Sequence, residues 1–250
     1  MNKIKKYLHI NRHNLAVFFL LNLACLTCIV LVLARVAYTD SQRHSGLIWN
    51  LFLAWIPFIL AYFAHAISWR RGWLLYIIIV MIAFLWLIFF PNAPYMLTDL
   101  QDLARAGGVG APLWYDVIIV GWCSWTGMLL GIISLYLMQD IIFRTFGRWA
   151  GWIFVFVISA ASSFAMYIGR FVRLNSWDIL QKPGETAMEI LGLVIDPSMR
   201  LAAFTVLYTF FFLFVFVLLY SFSHMLVEQS TRSQETIEQF ASTQPSNSVS

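Results

Sequence analysis

The sequence predicts an all-α membrane protein: a polytopic bundle of about six transmembrane helices, with a short amphipathic helix after the third. Three observations carry this. Hydrophobic residues fill 61% of the 250 positions and charged residues only 11%, far from the roughly 45–50% apolar and roughly 25% charged of soluble domains. Apolar runs recur at the length needed to cross a hydrocarbon core about 30 Å thick, roughly 20 residues at about 1.5 Å each. The connections between them are short, apart from Pro91 to Leu113 and Arg170 to Arg200, which describes one bundle rather than several domains.

The runs are Leu15–Val36, Leu47–Ile67, Trp73–Phe90, Trp114–Met138, Ala150–Gly169 and Leu201–Phe222. Lipid offers no partner to an unpaired backbone group, so all should be helices. Lys3, Lys5, Lys6 and Arg12 precede the first run, a pattern that a signal peptide shares. The run is longer than the roughly 7–15 residues of a signal core and no small-x-small site follows it cleanly, so it reads as the first span. Pro57 lies inside the second and should kink it. The fourth, GWCSWTGMLLGIISL, aligns Ser124, Gly127, Gly131 and Ser134, and the fifth places Ala161, Ala165 and Gly169 at the same spacing. Two small-residue stripes on consecutive spans predict that these spans pack against each other. Trp49, Trp73, Trp114, Tyr115, Trp149 and Trp152 sit near run ends, as an interfacial aromatic belt does. From Val227 onward Ser, Thr, Gln and Glu dominate, so residues 1–226 form a single transmembrane domain and 227–250 a polar disordered tail.

The pI of about 9.1 does not point to nucleic acid, because the basic residues cluster at helix ends, where they orient a membrane protein. Their modest excess on the N-terminal side places both termini in the cytoplasm and the protein in the cell membrane. Cys25 and Cys28 form a Cys-x-x-Cys, but inside a lipid-spanning helix without a second ligand pair it reads as apolar packing, as does Cys123. No metal site follows from the cysteines. The histidines add none, since His44 alone lies near the polar rim.

With six spans, the connections after the first, third and fifth open on one face. The third begins WLIFFPNAPYMLTDLQDL. Pro91 and Pro94 should stop the span, and the Asn92 side-chain oxygen should cap the next helix. From Tyr95 to Ala106, Leu97, Leu100 and Leu103 alternate with Thr98, Asp99, Gln101 and Asp102 before Gly107 and Gly108. That spacing predicts an amphipathic helix lying on the membrane surface or dipping into the bundle. The fifth connection, GRFVRLNSWDIL, supplies Arg170, Arg173, Asn175, Ser176, Trp177 and Asp178. Tyr115 and Asp116 open the fourth span, and Asn50 lies at the matching end of the second.

The candidate ligand-binding set is therefore Asn92, Tyr95, Asp99, Asp102, Asp116, Arg170, Arg173, Asn175, Trp177 and Asp178. Asp99 and Asp102 share a helix face one turn apart, an arrangement suited to a hard cation or to a general base. The arginines suit an anion, because a guanidinium fork matches phosphate or carboxylate. The structural alternative pairs Asp99 or Asp178 with Arg170 or Arg173. Farther on, ETAMEILGLVIDP is too short to span and should lie at the interface.

On FPNAPYMLTDL from Phe90 to Leu100, on Tyr115 and Asp116, and on RFVRLNSWDIL from Arg170 to Leu180, the chain resembles a family of uncharacterised bacterial multi-pass membrane proteins, the domain of unknown function DUF1361. The resemblance implies a bacterial membrane location and no chemistry. The residues themselves point to a polar binding site at the non-cytoplasmic face, built from the third and fifth connections. Beyond the bilayer, an anionic or lipid-linked ligand is the candidate partner. A structural or accessory subunit with a purely structural rim is the alternative, and a small-solute transporter a further one. Transport is the weakest of these, since the span centres hold Asn22 and scattered Ser and Thr in place of ionisable groups. GxSxG, P-loop and Rossmann glycine patterns are absent from the sequence, and neither a catalytic residue nor a cofactor is assigned.

Overall fold

The computed structural model describes residues 2–70, 72–104, 110–173 and 181–243, and among them every regular element is helical. In chain order these are α1 (Asn2–Thr39), α2 (Gly46–Ile67), α3 (Trp73–Phe89), α4 (Asn92–Tyr95), a 3₁₀ turn (Met96–Asp99), α5 (Leu100–Ala104), α6 (Leu113–Phe146), α7 (Arg148–Tyr167), a π turn (Ile168–Val172), α8 (Pro183–Ile195) and α9 (Met199–Thr243). Among the described residues six stretches are long and apolar enough to cross a membrane: Leu15–Thr39, Gly46–Ile67, Trp73–Leu103, Leu113–Phe146, Arg148–Val172 and Met199–Ser233. The protein is a polytopic helical membrane protein.

Contacts divide the chain into two units, Met1–Thr209 and Phe210–Ser250, where the sequence suggests one domain up to residue 226. Within the second unit, α9 continues as helix to Thr243, across the segment expected to be a disordered tail from residue 227. A local interaction favours the helix there: Arg232 Nη2 donates to Glu228 Oε1 at 2.6 Å, one turn away.

In the first unit α6 is the central helix. Leu21, Cys25, Cys28 and Val32 of α1 and Leu47, Leu51, Ala54 and Phe58 of α2 recur every three or four residues and close on Ile119, Val120, Cys123 and Leu130 of α6. The three cysteines are buried and free, packed as small apolar side chains. Trp49, Trp73, Trp114 and Trp149 are all exposed on the helix surfaces, where an aromatic belt needs them. Helix α2 stays continuous through Pro57. Ser134 Oγ donates to the Pro57 carbonyl at 3.0 Å and accepts from Trp86 Nε1 at 2.6 Å, linking α2, α6 and α3 through one buried hydroxyl.

Spans α6 and α7 do pack against each other, as the stripes predict, with Gly151 of α7 against the Phe143 ring of α6, but the Gly127–Gly131 groove itself receives another partner. A Cβ added to Gly127 would lie 2.6 Å from Met96 Sδ and 2.8 Å from the Ala93 carbonyl, and one on Gly131 would lie 3.3 Å from Ala93 Cβ. The groove thus holds α4 and the 3₁₀ turn, not α7. Ala161 of the matching stripe is exposed, whereas Ser159, Ser162, Ser163 and Met166 form the buried side of α7. The physical reason is shape: a GxxxG groove accepts any backbone that can come close, and the proline-broken segment delivers backbone where an intact helix delivers side chains. Ser124 completes the fit, its Oγ donating to the Met96 carbonyl at 2.6 Å.

Candidate functional site

Asn92 lies at the break in the third span. Its Nδ2 donates to the Phe89 carbonyl at 3.0 Å, so it satisfies the open end of α3. The N-cap position of α4 falls to Pro91, with no side-chain cap, which corrects the expectation that the Asn92 oxygen caps the next helix. After Tyr95 the chain tightens into the 3₁₀ turn, and Thr98 Oγ1 donates back to the Tyr95 carbonyl at 2.7 Å.

The segment dips into the bundle with Thr98 and Asp99 inward and Asp102 half-exposed. Thr98 is fully buried and Asp99 is 7% exposed, while Leu100 is 37% exposed. A helix lying on the membrane surface would present the reverse. In a lipid solvent this is sensible: Leu100 is left outward while Leu103 packs on the core, and carboxylates need partners that only the protein supplies.

Those partners come from two other helices. Asn50 Nδ2 on α2 donates to Asp99 Oδ2 at 3.0 Å. Arg170 Nη1 donates to Asp99 Oδ1 at 3.1 Å, and its Nη2 to Asp102 Oδ1 at 2.6 Å. Tyr95 lies beside the same guanidinium. Arg170 sits in the π turn, which ends at Arg173 with φ of +66°. The added residue per turn rotates Arg170 toward the carboxylates, and the left-handed Arg173 then releases the chain with its own side chain exposed at the rim. Phe171 is held by Phe204 of α9, 5.7 Å between centroids, and by the Arg200 guanidinium 4.3 Å above its ring.

Asp116 belongs to a second cluster. Arg35 of α1 grips it side-on, Nε to Oδ1 at 2.5 Å and Nη2 to Oδ2 at 3.1 Å, with each side chain 1% exposed. His44, 5% exposed in the α1–α2 connection, brings Nε2 to 3.5 Å from Asp116 Oδ2, an ionic distance without hydrogen-bond geometry. Burial, with the Arg35 charge second, holds the His44 pKa below its ordinary 6.5, so the ring is neutral at pH 7. Tyr115 turns its hydroxyl to the Leu31 carbonyl at 3.1 Å.

The structure therefore brings together Tyr95, Asp99, Asp102 and Arg170, adds Asn50, and places Asp116 with Arg35 and His44. Asn175, Trp177 and Asp178 lie outside the described residues. Arg35 is the residue that sequence reasoning missed. At the end of an apolar run it reads as an orienting charge, and its only signal was its position next to the last residue of the first run, opposite an aspartate two residues into the fourth. At the other end of the bundle His65 and Arg144 share Asp140, each at 2.9 Å, and Arg144 covers Trp69 at 4.0 Å, fastening the ends of α2 and α6. Among the described residues no group of His, Cys, Asp and Glu is arranged to hold a metal ion.

The model of a family described as protein of unknown function, DUF1361, matches residues 49–239. The chain belongs to the DUF1361 family. Asn50, Asp99, Asp102, Asp116 and Arg170 all fall within the matched segment, and Arg35 and His44 precede it. No curated protein and no solved structure matches the chain, so the DUF1361 assignment brings no activity with it.

Proposed function

We propose that this DUF1361 protein is a binding protein of the cell membrane whose polar rim, at the meeting of the third and fifth connections, takes the charged part of an anionic or lipid-linked ligand. Both termini are then cytoplasmic and the rim faces outward. One observation supports this above the rest: two stretches of non-α backbone in the first unit, from different spans, meet at a single ion pair. The 3₁₀ turn ends at Asp99, the π turn carries Arg170, and left-handed Arg173 follows it. Such distortions cost free energy and concentrate at functional sites, and a membrane protein tolerates non-helical backbone where it borders protein or a polar cavity. An incoming anion takes over Nη2 of Arg170 from the half-exposed Asp102, with exposed Arg173 adding charge.

The second reading is a strut. It draws on the pairing itself, since Arg170 and Asn50 already engage Asp99. A thermal-shift screen of the purified protein against phosphates, anionic lipids and divalent cations separates the two, because a ligand bound to the native state raises its melting temperature. In the binding reading, Asp99→Asn and Arg173→Gln stay folded and lose the shift that one of these compounds gives the wild type. Absence of any shift, with Asp99→Asn unfolding, makes the rim a strut.

A further inference from the structure

Among the described residues, the buried hydrogen-bond donors left without a hydrogen-bond partner include Nη1 of Arg35 and Nε2 of His44. Both belong to the Asp116 cluster. The planar guanidinium fixes the meaning of the first. Its Nε and Nη2 edge is occupied by the carboxylate, so Nη1 directs its protons away from Asp116 and needs an acceptor from elsewhere. A neutral histidine can carry its proton on Nε2 and donate in the same way. Leaving such groups buried and unmet is costly; Nη1 has no acceptor and Nε2 has only Asp116 Oδ2 at 3.5 Å, so one acceptor with two oxygens would serve both.

Beside this cluster runs a groove of about 380 Å³ lined by Ala34, Tyr38, Ala111, Pro112, Trp114 and Tyr115. Arg35 lies between Ala34 and Tyr38 on α1, and Asp116 follows Trp114 and Tyr115 on α6, so cluster and groove share the same two helix ends. The groove is apolar, and Tyr38 and Trp114 are widely exposed around it. Arg35 is four residues from the end of α1 and Asp116 three from the start of α6, which puts both about 4–6 Å inside the helix ends. Tyr38 and Trp114 beside them are amphipathic aromatics of the kind that settle at the boundary between headgroups and acyl chains.

We propose that the α1–α6 seam is a binding site for a membrane phospholipid, its phosphodiester taken by Arg35 Nη1 and His44 Nε2 and its acyl chain laid in the adjoining groove. The chemistry of both halves matches. A phosphodiester offers two anionic oxygens to two donors, and an acyl chain needs an apolar trough open to the lipid side. The Arg35–Asp116 pair is neutral as a unit, so the single negative charge of the phosphodiester meets donors without a net opposing charge, and exposed Arg43 next to His44 adds attraction. Both donor atoms are covered by the protein, so binding requires the short connection carrying His44 to move outward. The site is independent of the Asp99–Arg170 rim and uses none of its residues.

The test is thermal melting of the detergent-purified protein with phosphatidylglycerol, with diacylglycerol of the same chains, and with inorganic phosphate. Phosphatidylglycerol is expected to raise the melting temperature, and the other two to do so little. Arg35→Lys keeps a cation for Asp116 and removes the guanidinium nitrogen Nη1; Ala34→Phe fills the groove at an exposed position. Each should weaken the response to phosphatidylglycerol about tenfold or more, the loss of one charged hydrogen bond or of the chain's seat. Should Arg35→Lys fail to fold, Ala34→Phe and His44→Gln carry the test. Equal stabilisation by diacylglycerol overturns the proposal, because the phosphate is then not recognised. Inorganic phosphate acting equally on the wild type and on Ala34→Phe overturns it in favour of a free anion. An undiminished response in both Ala34→Phe and His44→Gln also overturns it, leaving a buried water as the acceptor. A response that survives Asp99→Asn and is lost in Ala34→Phe belongs to the seam and not to the rim.

Discussion

Arg35 and Asp116, 81 residues apart in sequence, form a side-on pair in which both side chains are 1% exposed. The pair joins the end of the first span to the start of the fourth. Removing one partner leaves the other charge buried, so Arg35→Gln or Asp116→Asn is expected to cost about 3–5 kcal/mol. The double variant Arg35→Met/Asp116→Leu should lie closer to wild type than either single change. Chemical denaturation in detergent checks this; additive losses in the double variant would show that the charges are not coupled.

Close packing at Gly127 gives a graded series. Gly127→Ala forces its methyl onto Met96 Sδ and the Ala93 carbonyl, and the backbone oxygen has little room to retreat. A loss of about 1–3 kcal/mol is expected. Gly131→Ala should cost less, since its nearest neighbour is a methyl at 3.3 Å, and Gly121→Ala, with open space around it, should cost nothing. Melting temperatures of the three, ranked differently, would mean that α4 does not fill the groove.

Acid should weaken the α1–α2 connection. The His44 pKa lies below 6.5 in the folded protein because burial and Arg35 oppose its charge, only partly offset by Asp116. As pH falls through about 6.5 the unfolded chain takes up the proton first, so stability declines until the lower folded pKa is passed. Above about pH 7 the two states are equally neutral and the effect vanishes. A melting curve measured from about pH 8 to about pH 5 should show a drop that His44→Gln lacks; parallel curves for the two proteins would remove His44 as its source.

Orientation is open to a direct measurement. In the proposed topology the α1–α2 connection and the start of α8 lie outside. Gln42→Cys, an exposed position, and Gly184→Cys, which has open space around it, should both react with an impermeant thiol reagent in intact cells. The native cysteines are buried and should give little background. Reaction only after lysis would reverse the orientation.

Much of the fold was legible because a bilayer leaves few options. Runs such as Trp73–Phe90 and Leu201–Phe222 cannot satisfy their backbones in lipid except as helices, so length and hydrophobicity set the spans without reference to any neighbour. The rim was legible for a related reason. Asp99, Asp102 and Arg170 stand out where charge is expensive, and span parity sends their connections to one end of the bundle.

Partners are another matter, because they depend on distances between segments far apart in sequence. The GxxxG stripe of α6 announces a close approach, yet any near backbone can fill it; only tertiary packing decided that Ala93 and Met96 do so and that α7 does not. The polar side of the Asp99 segment reads as solvent-facing on a helical wheel, and Asp99 turned inward because Asn50 and Arg170 were there to meet it. Arg35 looked like an orienting charge until α1 and α6 came together. Sequence by itself determined which residues are unusual for lipid, through transfer free energies that act residue by residue. Tertiary structure alone decided which of them meet, because hydrogen bonds and ion pairs form only over about 3 Å and no spacing along the chain encodes that.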